Sequence, residues 1–271
     1  MKCYLINLDR SQDRLAWFVR ATAGFDLDIV RIAAVDGRTL AQAEIARWSR
    51  CQRGSYRLAA EEIGCFLSHR AVWRAIAQGE DDWVFVAEDD LHFGRSAHYF
   101  FSNPGWQPVD ADVVKAETFR SWTSVGPRPT GSAFGHKLRR LRSVHYGSAA
   151  YFLRKSAAPK LVELTEEVCA QVDGVLFEPW YGVAGAFKRY QLDPAICVQD
   201  GLLNGEEQVG LGSTLENIRR RNSGDDVPDR KPKGFAKLKR EAARPFIRLH
   251  HIGLSLARGA VSRRIPYSED R

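Results

Sequence analysis

The sequence predicts an α/β fold in which a mostly parallel sheet is flanked by helices. Short apolar, β-favouring runs alternate with helical patterns from residue 2 to residue 198, and the chain shows no internal repeat. One run, at residues 83–90, places consecutive apolar residues directly before an acidic triplet, which is typical of a buried parallel strand. Because ligands gather at the carboxyl ends of strands in such sheets, the triplet also predicts where a site would lie.

The N-terminal part of this pattern supplies three strands and three helices. Strands are predicted at residues 2–8, 29–35 and 83–90. Helices are predicted around residues 15–22, at 39–48 with Thr39 as the N-cap, and at 60–78, where apolar residues recur at mostly three-to-four-residue spacing before Gly79. The pair Asp36-Gly37 indicates a turn after the second strand, because glycine tolerates positive φ.

The remaining segments are shorter and more polar. Strands are predicted at 112–116, 149–153 and 196–198, and helices at 156–169, capped by Ser156, and after Asp173. The basic stretch at 121–142, rich in Gly, Pro and Ser, is predicted to be a mobile lid beside a site. Low apolar density and many charges indicate a linker at 217–234. The chain would then consist of a domain at 1–216, this linker and a tail at 235–271.

The net charge of +7 is concentrated near the C-terminus. Residues 230–264 hold eleven Lys/Arg and one acid, a balance of +10, which leaves 29 basic and 32 acidic residues, or −3, elsewhere. The tail repeats apolar residues between Lys and Arg, as does a basic amphipathic helix that binds an anionic membrane surface. A helix packed back on the domain is the alternative. The acidic body does not favour nucleic acid as a partner.

The cysteines and the apolar segments indicate a cytoplasmic protein. Five cysteines are scattered and lack CxxC spacing, so neither a disulfide framework nor a zinc ribbon is expected. The N-terminal apolar run is too short for a signal peptide, and no stretch approaches the roughly 20 apolar residues of a membrane-spanning helix. A membrane-bound tail would hold the protein at the cytoplasmic face of the inner membrane.

Glu88, Asp89 and Asp90 are the most informative residues of the chain. Alternation along an extended strand end would put Glu88 and Asp90 on one side and Asp89 on the other. Two carboxylates aimed at one pocket repel each other unless a cation lies between them, and a hard divalent ion there could grip a nucleotide diphosphate. A solvated turn or a cap for the next helix is the alternative. Residues 91–93 (Leu-His-Phe) do not continue the charge run, which favours a site.

Five motifs follow one another along the chain. They are Tyr4-Leu-Ile-Asn-Leu-Asp-Arg with Asp13-Arg14, Ala34-Val-Asp-Gly37, Glu62-Ile-Gly-Cys-Phe-Leu-Ser-His-Arg-Ala-Val-Trp73, Val84-Phe-Val-Ala-Glu-Asp-Asp90 and Gly147-Ser-Ala-Ala-Tyr151. In order and approximate spacing, over residues 2–200, they resemble glycosyltransferase family 25. That family includes lipooligosaccharide galactosyltransferases of Gram-negative bacteria and collagen galactosyltransferases. Ala87 departs from the family pattern, which usually has Leu or a similar large apolar residue there.

The resemblance implies a GT-A fold, a UDP-sugar donor that is most often UDP-galactose, and inversion at the anomeric carbon. It also implies that Glu88 and Asp90 hold a divalent metal, Mn²⁺ or Mg²⁺, as the counterpart of the Asp-x-Asp motif. The acceptor would be a lipooligosaccharide, a lipopolysaccharide or another surface glycan. A nucleotidyltransferase-like enzyme using the same acids, and less favourably a nucleic-acid-binding module working through the tail, remain as alternatives.

Further candidate donor-binding residues follow the first two strands or lie on the third helix. Asn7, Asp9 and Arg14 come at or after the end of the first strand, where an amide or carboxylate could bond the uridine and an arginine could bind phosphate. Alternatively, Asp9 and Ser11 cap the next helix and Arg14 lies in solvent. The other candidates are Asp36, Ser68, His69 and Asp89.

Direct displacement at an anomeric carbon needs a base that takes the proton of the incoming hydroxyl. Asp173 is the first choice because it resembles a family position after the penultimate helix, and a helix N-cap is the alternative role. Glu178 and Asp200 are other candidates, Asp200 also as a third metal ligand. Cys65 and His69 lie four apart on one helical face, but no second pair of soft ligands lies nearby, so zinc is not favoured.

Overall fold

The computed structural model describes residues 1–51, 58–179, 183–203, 208–211 and 259–270. Its helices are α1 (Gln12–Ala21), α2 (Gln42–Arg50), α3 (Ala60–Gln78), α4 (Ala97–Ser102), α5 (Ala158–Leu164) and α6 (Val172–Phe177). Its strands are β1 (Lys2–Asn7), β2 (Asp28–Ala33), β3 (Trp83–Glu88), β4 (Leu91–Phe93), β5 (Val113–Lys115), β6 (Trp122–Val125), β7 (Gly131–Ala133), β8 (His136–Arg140), β9 (Ala150–Arg154), β10 (Arg189–Asp193), β11 (Cys197–Gln199) and β12 (Val261–Arg264). The linker predicted at 217–234 and the tail residues 235–258 lie outside these ranges.

The main sheet has eight strands in the order β2-β1-β3-β9-β5-β10-β8-β7. Strand β1 pairs in parallel with β2 and β3, and β10 pairs in parallel with β5. Strand β9 is antiparallel to β3 and β5, and β8 is antiparallel to β10 and β7. Within this sheet, all strands except β9 and β8 therefore run in one direction. This arrangement confirms the predicted α/β class with a mostly parallel sheet.

Both faces of the sheet are covered. Along β3, Val84 and Val86 pack into a cluster that includes residues of α3, α5 and α6. Phe85 and Ala87 point to the opposite face, where they join a phenylalanine-rich cluster with α1 and α4. This two-sided burial explains the continuous apolar run in the sequence, because alternate residues of a strand face opposite sides. Each fully buried large side chain contributes roughly 1.5–3 kcal/mol of transfer free energy.

The candidate site lies at the edge where β1 and β3 end. These neighbouring strands are parallel, with Ile6 opposite Glu88, so their carboxyl ends meet there. Strand β9 is antiparallel to β3, and its first residues lie at the same edge, where Glu88 N donates to Ala149 O at 2.8 Å. The acidic triplet is thereby placed beside the loop that precedes β9.

The lid predicted at 121–142 is wrong for much of its length. This stretch contains β6, β7 and β8, and β8 is a member of the main sheet. Strand β8 was not predicted because its basic residues suggest an exposed loop. Arg139 is nevertheless buried, and its Nε donates to the buried carboxylate of Asp193 at 2.6 Å. A charged side chain can enter a sheet interior when such a partner is present, and the partner lies far away in the sequence.

Several predicted helix ends also differ. Thr39 lies in a 3-10 turn, and α2 begins only at Gln42 after Ala41 as its N-cap. Ser156 likewise lies in a 3-10 turn, and α5 ends at Leu164 instead of residue 169. Short polar turns at helix ends are governed by contacts that propensity does not report.

The described end of the predicted tail is a strand that packs on the body. Strand β12 pairs antiparallel with β6, in the register Val261 to Val125. Ile265 is fully buried, and its carbonyl oxygen accepts a hydrogen bond from Thr118 Oγ1 at 2.6 Å. Residues 259–270 therefore pack on the body, whereas the sequence predicts a basic amphipathic helix for the tail. None of the helices in the described part of the chain is long and apolar enough to cross a bilayer.

Candidate functional site

A cavity of about 580 Å³ opens at the carboxyl ends of β1 and β3. Its walls come from the loop after β2, α1, α3, the acidic triplet, the loop before β9 and the start of α6. The predicted site residues that line it are Arg14, Asp36, Ser68, Glu88, Asp89, Asp90 and Asp173. Residues from distant parts of the sequence therefore converge on one concave surface, as expected for a ligand site.

All three acids of the triplet face this cavity. The chain turns directly after Glu88, so the alternation predicted for Asp89 is wrong, because alternation requires an extended backbone. Arg14 Nη2 lies 2.6 Å from Asp89 Oδ1 and 2.9 Å from Asp90 Oδ2. The alternative in which Arg14 lies in solvent is also wrong, since only 12% of its side chain is exposed.

The triplet carries more negative charge than Arg14 balances. Burial, together with the nearby charges of Glu88 and Asp89, raises the pKa of Asp90 to about 7, although Arg14 opposes the shift. Burial also raises the pKa of Asp89. Carboxylate oxygens crowded in this way are the ligands that hard divalent cations prefer, so the donor set fits Mn²⁺ or Mg²⁺.

Asn7 and Asp9 are placed outside the cavity lining. The buried side chain of Asn7 donates from Nδ2 to Asp89 Oδ2 at 2.7 Å and accepts from Arg31 Nε at 2.9 Å. Asp9 is largely exposed, and its carboxylate pairs with Arg31 Nη2 at 2.5 Å. In this arrangement Asn7 orients a triplet carboxylate, while Asp9 lies on the surface.

Asp36 lines the cavity but is engaged by two arginines. Its carboxylate pairs with Arg38 Nη2 at 2.8 Å and with Arg10, and it caps the 3-10 turn by accepting from Arg38 N at 3.1 Å. The hydrogen bond from Arg38 and the nearby positive charges lower the pKa of Asp36 to about 2. A Cβ atom on Gly37 would lie 2.2 Å from Ala60 O, so only glycine allows this turn to meet α3.

Ser68 connects α3 to the segment that follows β2. Its Oγ accepts from Val35 N at 2.8 Å and donates to Gly64 O at 2.7 Å. Its hydroxyl proton is therefore already used within the protein. Ser68 supports the cavity wall, and any donor contact would have to use its remaining acceptor capacity.

His69 lies behind Glu88 and outside the cavity lining. Its Nε2 is 3.3 Å from Glu88 Oε1, and its Nδ1 is 2.9 Å from the hydroxyl oxygen of Tyr151. Cys65 lines the cavity, and the ligand atoms of Cys65, His69 and Glu88 all lie within 4.8 Å of one another. The two residues that are four apart on α3 therefore both lie next to Glu88 of the triplet.

Asp173 lies in the first turn of α6 and lines the cavity. Its carboxylate accepts hydrogen bonds from Gly147 N at 3.1 Å and Gly174 N at 2.8 Å. The N-cap of α6 is Gln171, so the capping role considered for Asp173 is wrong. The backbone at Gly147 has φ +85°, which places its N–H toward Asp173 in a conformation that favours glycine.

The two alternative acids do not line the cavity. Asp200 is fully buried, and its carboxylate accepts from His92 Nε2, Val209 N and Leu211 N, each at 2.8 Å. Asp200 N donates to Asp90 O at 2.8 Å, so this residue supports the turn of the triplet. Glu178 follows the last residue of α6.

Sequence reasoning missed further residues of the cavity wall. The rings of Phe119 and Tyr146 line it with their centroids 6.1 Å apart, and Gln199 Nε2 donates to Asp90 Oδ1 at 3.3 Å. Phe119 follows β5, which runs in the same direction as β3 with β9 between them, so the same carboxyl-end rule could have found it. No sequence pattern identifies Gln199 as a cavity residue, because its partner Asp90 lies 109 residues away.

Comparisons with known proteins match the N-terminal part of the chain. The profile of a family described as "Glycosyltransferase family 25 (LPS biosynthesis protein)" matches residues 1–176. The lipooligosaccharide biosynthesis protein lex-1 of Haemophilus influenzae is 28% identical over 173 residues, which cover 60% of this chain and 56% of that protein. The lacto-N-neotetraose biosynthesis glycosyltransferase LgtB of Neisseria meningitidis is 27% identical over 173 residues, 60% of this chain and 62% of that protein.

A shorter match links the chain to an animal protein. Procollagen galactosyltransferase 2 of Mus musculus is 33% identical over 97 residues, which cover 33% of this chain and 16% of that protein. The chain therefore spans less than two thirds of the length of each of these relatives. The family match itself, at residues 1–176, contains the whole acidic triplet and Asp173.

Proposed function

Because the chain belongs to glycosyltransferase family 25, we propose that it transfers a hexose from a UDP-sugar to a lipooligosaccharide, a lipopolysaccharide or another surface glycan, with inversion at the anomeric carbon. The observation that carries the proposal is the single cavity that joins Glu88, Asp89 and Asp90 with Asp173. Galactose is the favoured hexose, since one relative is named a galactosyltransferase. The proposed acceptor class follows the names of the bacterial relatives.

Glu88 and Asp90 are the residues that would hold a divalent cation. Bound there, Mn²⁺ or Mg²⁺ would neutralise charge on the diphosphate of the donor. Arg14 is proposed to add a direct phosphate contact. Its Nε is buried without a hydrogen-bond partner among the described residues, although it belongs to a side chain that lines the cavity. A phosphate oxygen could accept from this N–H.

Asp173 is the proposed general base. The acceptor hydroxyl oxygen would attack the anomeric carbon, the bond from that carbon to the diphosphate would break, and the hydroxyl proton would pass to the Asp173 carboxylate. The N–H groups of Gly147 and Gly174 fix the orientation of this carboxylate before the acceptor arrives. One displacement of this kind inverts the anomeric configuration.

The proposed reaction releases UDP, and its rate should fall when the base Asp173 is replaced. With Mn²⁺, the protein should release UDP from UDP-galactose, and Asp173→Asn should lower the rate by about 10²–10⁴-fold, because the amide cannot accept the proton. The measurement is UDP release, with UDP-glucose and UDP-N-acetylglucosamine in parallel reactions.

Glu178→Gln is the matched control, since it removes an acid just beyond α6 that does not line the cavity. Its rate should equal that of the unmodified protein. Loss of activity in Glu178→Gln with retention in Asp173→Asn would contradict the assigned base. Release of UMP or pyrophosphate instead of UDP would support the nucleotidyltransferase alternative and contradict sugar transfer.

A peripheral membrane contact is a separate proposal that rests on the sequence alone. The basic amphipathic pattern that motivates it lies mainly at residues 235–258, outside the described part of the chain. If the acceptor is a lipid-linked glycan, such a contact would raise the concentration of enzyme near its substrate. A cytoplasmic location on the inner membrane remains part of this proposal.

A further inference from the structure

A chain of buried hydrogen bonds ends on the carboxylate of Glu88. Trp73 Nε1 donates to the hydroxyl oxygen of Tyr151 at 2.9 Å. The same hydroxyl lies 2.9 Å from His69 Nδ1, and His69 Nε2 lies 3.3 Å from Glu88 Oε1. Trp73, Tyr151 and His69 are all fully buried, so water does not compete for the contacts among them, whereas Glu88 is partly exposed at the cavity.

The elements that carry this chain hold it rigidly. His69 and Trp73 lie one turn apart on α3, a 19-residue helix packed on the sheet. Tyr151 on β9 pairs with Val86 on β3, two residues before Glu88. The rings of His69 and Tyr151 are stacked, with centroids 5.8 Å apart and planes 21° from parallel. The positions of the hydrogen-bonding atoms are therefore set by the sheet and by one helix.

The direction of the hydrogen bonds follows from the chemistry of the groups. The indole N–H of Trp73 can only donate, so the oxygen of Tyr151 accepts from it. Burial raises the pKa of Tyr151, so the phenol keeps its own proton and must donate it. Among the described residues, the other recorded partner of this hydroxyl is His69 Nδ1. Nδ1 is then an acceptor, and the ring proton lies on Nε2, facing Glu88.

Other protonation patterns are less favourable. A proton on Nδ1 would leave the buried hydroxyl proton of Tyr151 without an acceptor in the described part of the chain. An unsatisfied buried donor costs about 1–3 kcal/mol. This cost corresponds to a preference of roughly 5- to 150-fold for one tautomer of His69.

We infer that Trp73 and Tyr151 fix His69 in the Nε2–H tautomer, so that His69 donates to Glu88 and holds this carboxylate in position at the cavity. Trp73, Tyr151 and His69 are positioning residues, since they act through Glu88. The functional part of this inference rests on the proposed function, in which Glu88 holds the cation of the donor. The tautomer itself does not depend on that function.

The inference also decides between two roles for the group formed by Cys65, His69 and Glu88. Their proximity would suit a soft metal centre only if a ring nitrogen offered a lone pair to the metal. In the inferred tautomer, Nε2 carries a proton and the lone pair of Nδ1 accepts from Tyr151. His69 is therefore a hydrogen-bond donor to Glu88 and is not a metal ligand.

The tautomer can be read directly by NMR on the full chain labelled with ¹⁵N-histidine. Long-range ¹H–¹⁵N spectra distinguish the two neutral tautomers and the imidazolium, and His69→Gln identifies the resonances of His69. We expect the Nε2–H pattern, unchanged on addition of Zn²⁺. A proton on Nδ1, or a shift of the His69 nitrogens on binding Zn²⁺, would overturn the inference. The tautomer is read in the unmodified protein, and the variant serves only to assign the resonances.

Tyr151→Phe tests the positioning role, and Tyr190→Phe is the matched control. Tyr190 is also a buried phenol on the main sheet, but its hydroxyl donates to Asp110 at 2.7 Å. Tyr151→Phe should mix the His69 tautomers and weaken the affinity for Mn²⁺ by about 10–100-fold, as expected when a residue that orients a ligand is lost. Tyr190→Phe should change neither quantity.

The outcomes separate this inference from the proposed function. Equal Mn²⁺ affinity in Tyr151→Phe and the unmodified protein, with altered tautomers in the variant, would contradict the positioning role. If the unmodified protein bound neither Mn²⁺ nor a UDP-sugar but still showed the Nε2–H pattern, the proposed function would fail while the assigned tautomer would stand.

Discussion

Arg14 offsets part of the cost of burying two carboxylates. Its guanidinium contacts both Asp89 and Asp90, and all three side chains are nearly buried. Removing one partner of such a group typically costs about 3–5 kcal/mol, because the remaining charge is left uncompensated. One arginine cannot balance Glu88 as well, and the pKa of Asp90 is raised first by burial and then by the charges of Glu88 and Asp89. The proposed function places a divalent cation beside these carboxylates, where it would offset the remaining negative charge.

His145 provides a residue-scale prediction about pH. It is fully buried, and burial lowers its pKa to about 3, below the value of about 6.5 in an unfolded chain. Below pH ~6.5 the unfolded chain therefore binds a proton that the folded protein does not. The free energy of unfolding is not reduced by His145 above this pH. Below it, the proton bound by the unfolded chain lowers the free energy of unfolding by about 1 kcal/mol per pH unit, down to about pH 3.

Urea unfolding of the unmodified protein and of His145→Gln at pH 8, 6 and 5 checks this prediction. The variant is expected to lose less stability than the unmodified protein between pH 6 and pH 5, whatever its stability at pH 8. A difference between the two proteins that stays constant across these pH values would contradict it.

Individual site residues were predictable to different degrees. Glu88 and Asp90 were predicted to lie at the carboxyl edge of the sheet because an apolar run stops at these acids, and both line the cavity there. The orientations of Asn7 and His69 could not be predicted, because their partners Asp89 and Tyr151 both lie 82 residues further along the chain. Sequence position locates a residue near the site but does not say whether it faces the cavity or supports a neighbour.

At the scale of elements, strand β12 shows how a distant partner overrides a local pattern. The basic residues near the C-terminus predict a helix, yet β6 supplies the edge with which Val261–Arg264 pairs. Ile265 then enters the core, where it belongs to the same cluster as Val125. The contact connects the C-terminal residues to a stretch that the sequence predicts as a lid.

Ile265→Ala should lower the free energy of unfolding by about 2–5 kcal/mol, because it removes fully buried methyl groups and leaves a cavity. Val261→Ala is the control on the same strand, with 36% of the residue exposed, and it should have a much smaller effect. Urea denaturation measures both changes. Similar losses in the two variants would show that the C-terminal residues do not pack on the body in this way.

Elements with a simple apolar pattern were predicted well, and elements with buried polar residues were not. Strands β1 and β3 and helix α3 match the sequence pattern closely. Strand β10 was missed, although all of its residues are buried, because Arg189, Gln191 and Asp193 interrupt the apolar run. Each has a partner inside the protein, such as Phe177 O for Arg189 Nη1 at 2.8 Å.

At the scale of the whole molecule, strand order brings the site together. Strands β1 and β3 are parallel, so the residues that follow them, including Arg14 and the triplet, lie at one edge of the sheet. Strand β9 is antiparallel and begins at this edge, so the loop before it, which contacts Asp173, lies there as well. The sequence predicted the strands but not their order, because pairing between β3 and β9 depends on long-range contacts. The α/β class could therefore be predicted, whereas the cavity between these segments could not.

In the proposed function the acidic triplet holds a divalent cation that binds a UDP-sugar, and calorimetric titration of UDP-galactose measures this binding. The unmodified protein should bind this donor with Mn²⁺ and much more weakly without it. Asp90→Asn should weaken binding in Mn²⁺ by about tenfold or more, which corresponds to about 1.4 kcal/mol. The surface variant Asp82→Asn should bind normally. Binding that is equally tight with and without Mn²⁺, and unchanged in Asp90→Asn, would contradict the account.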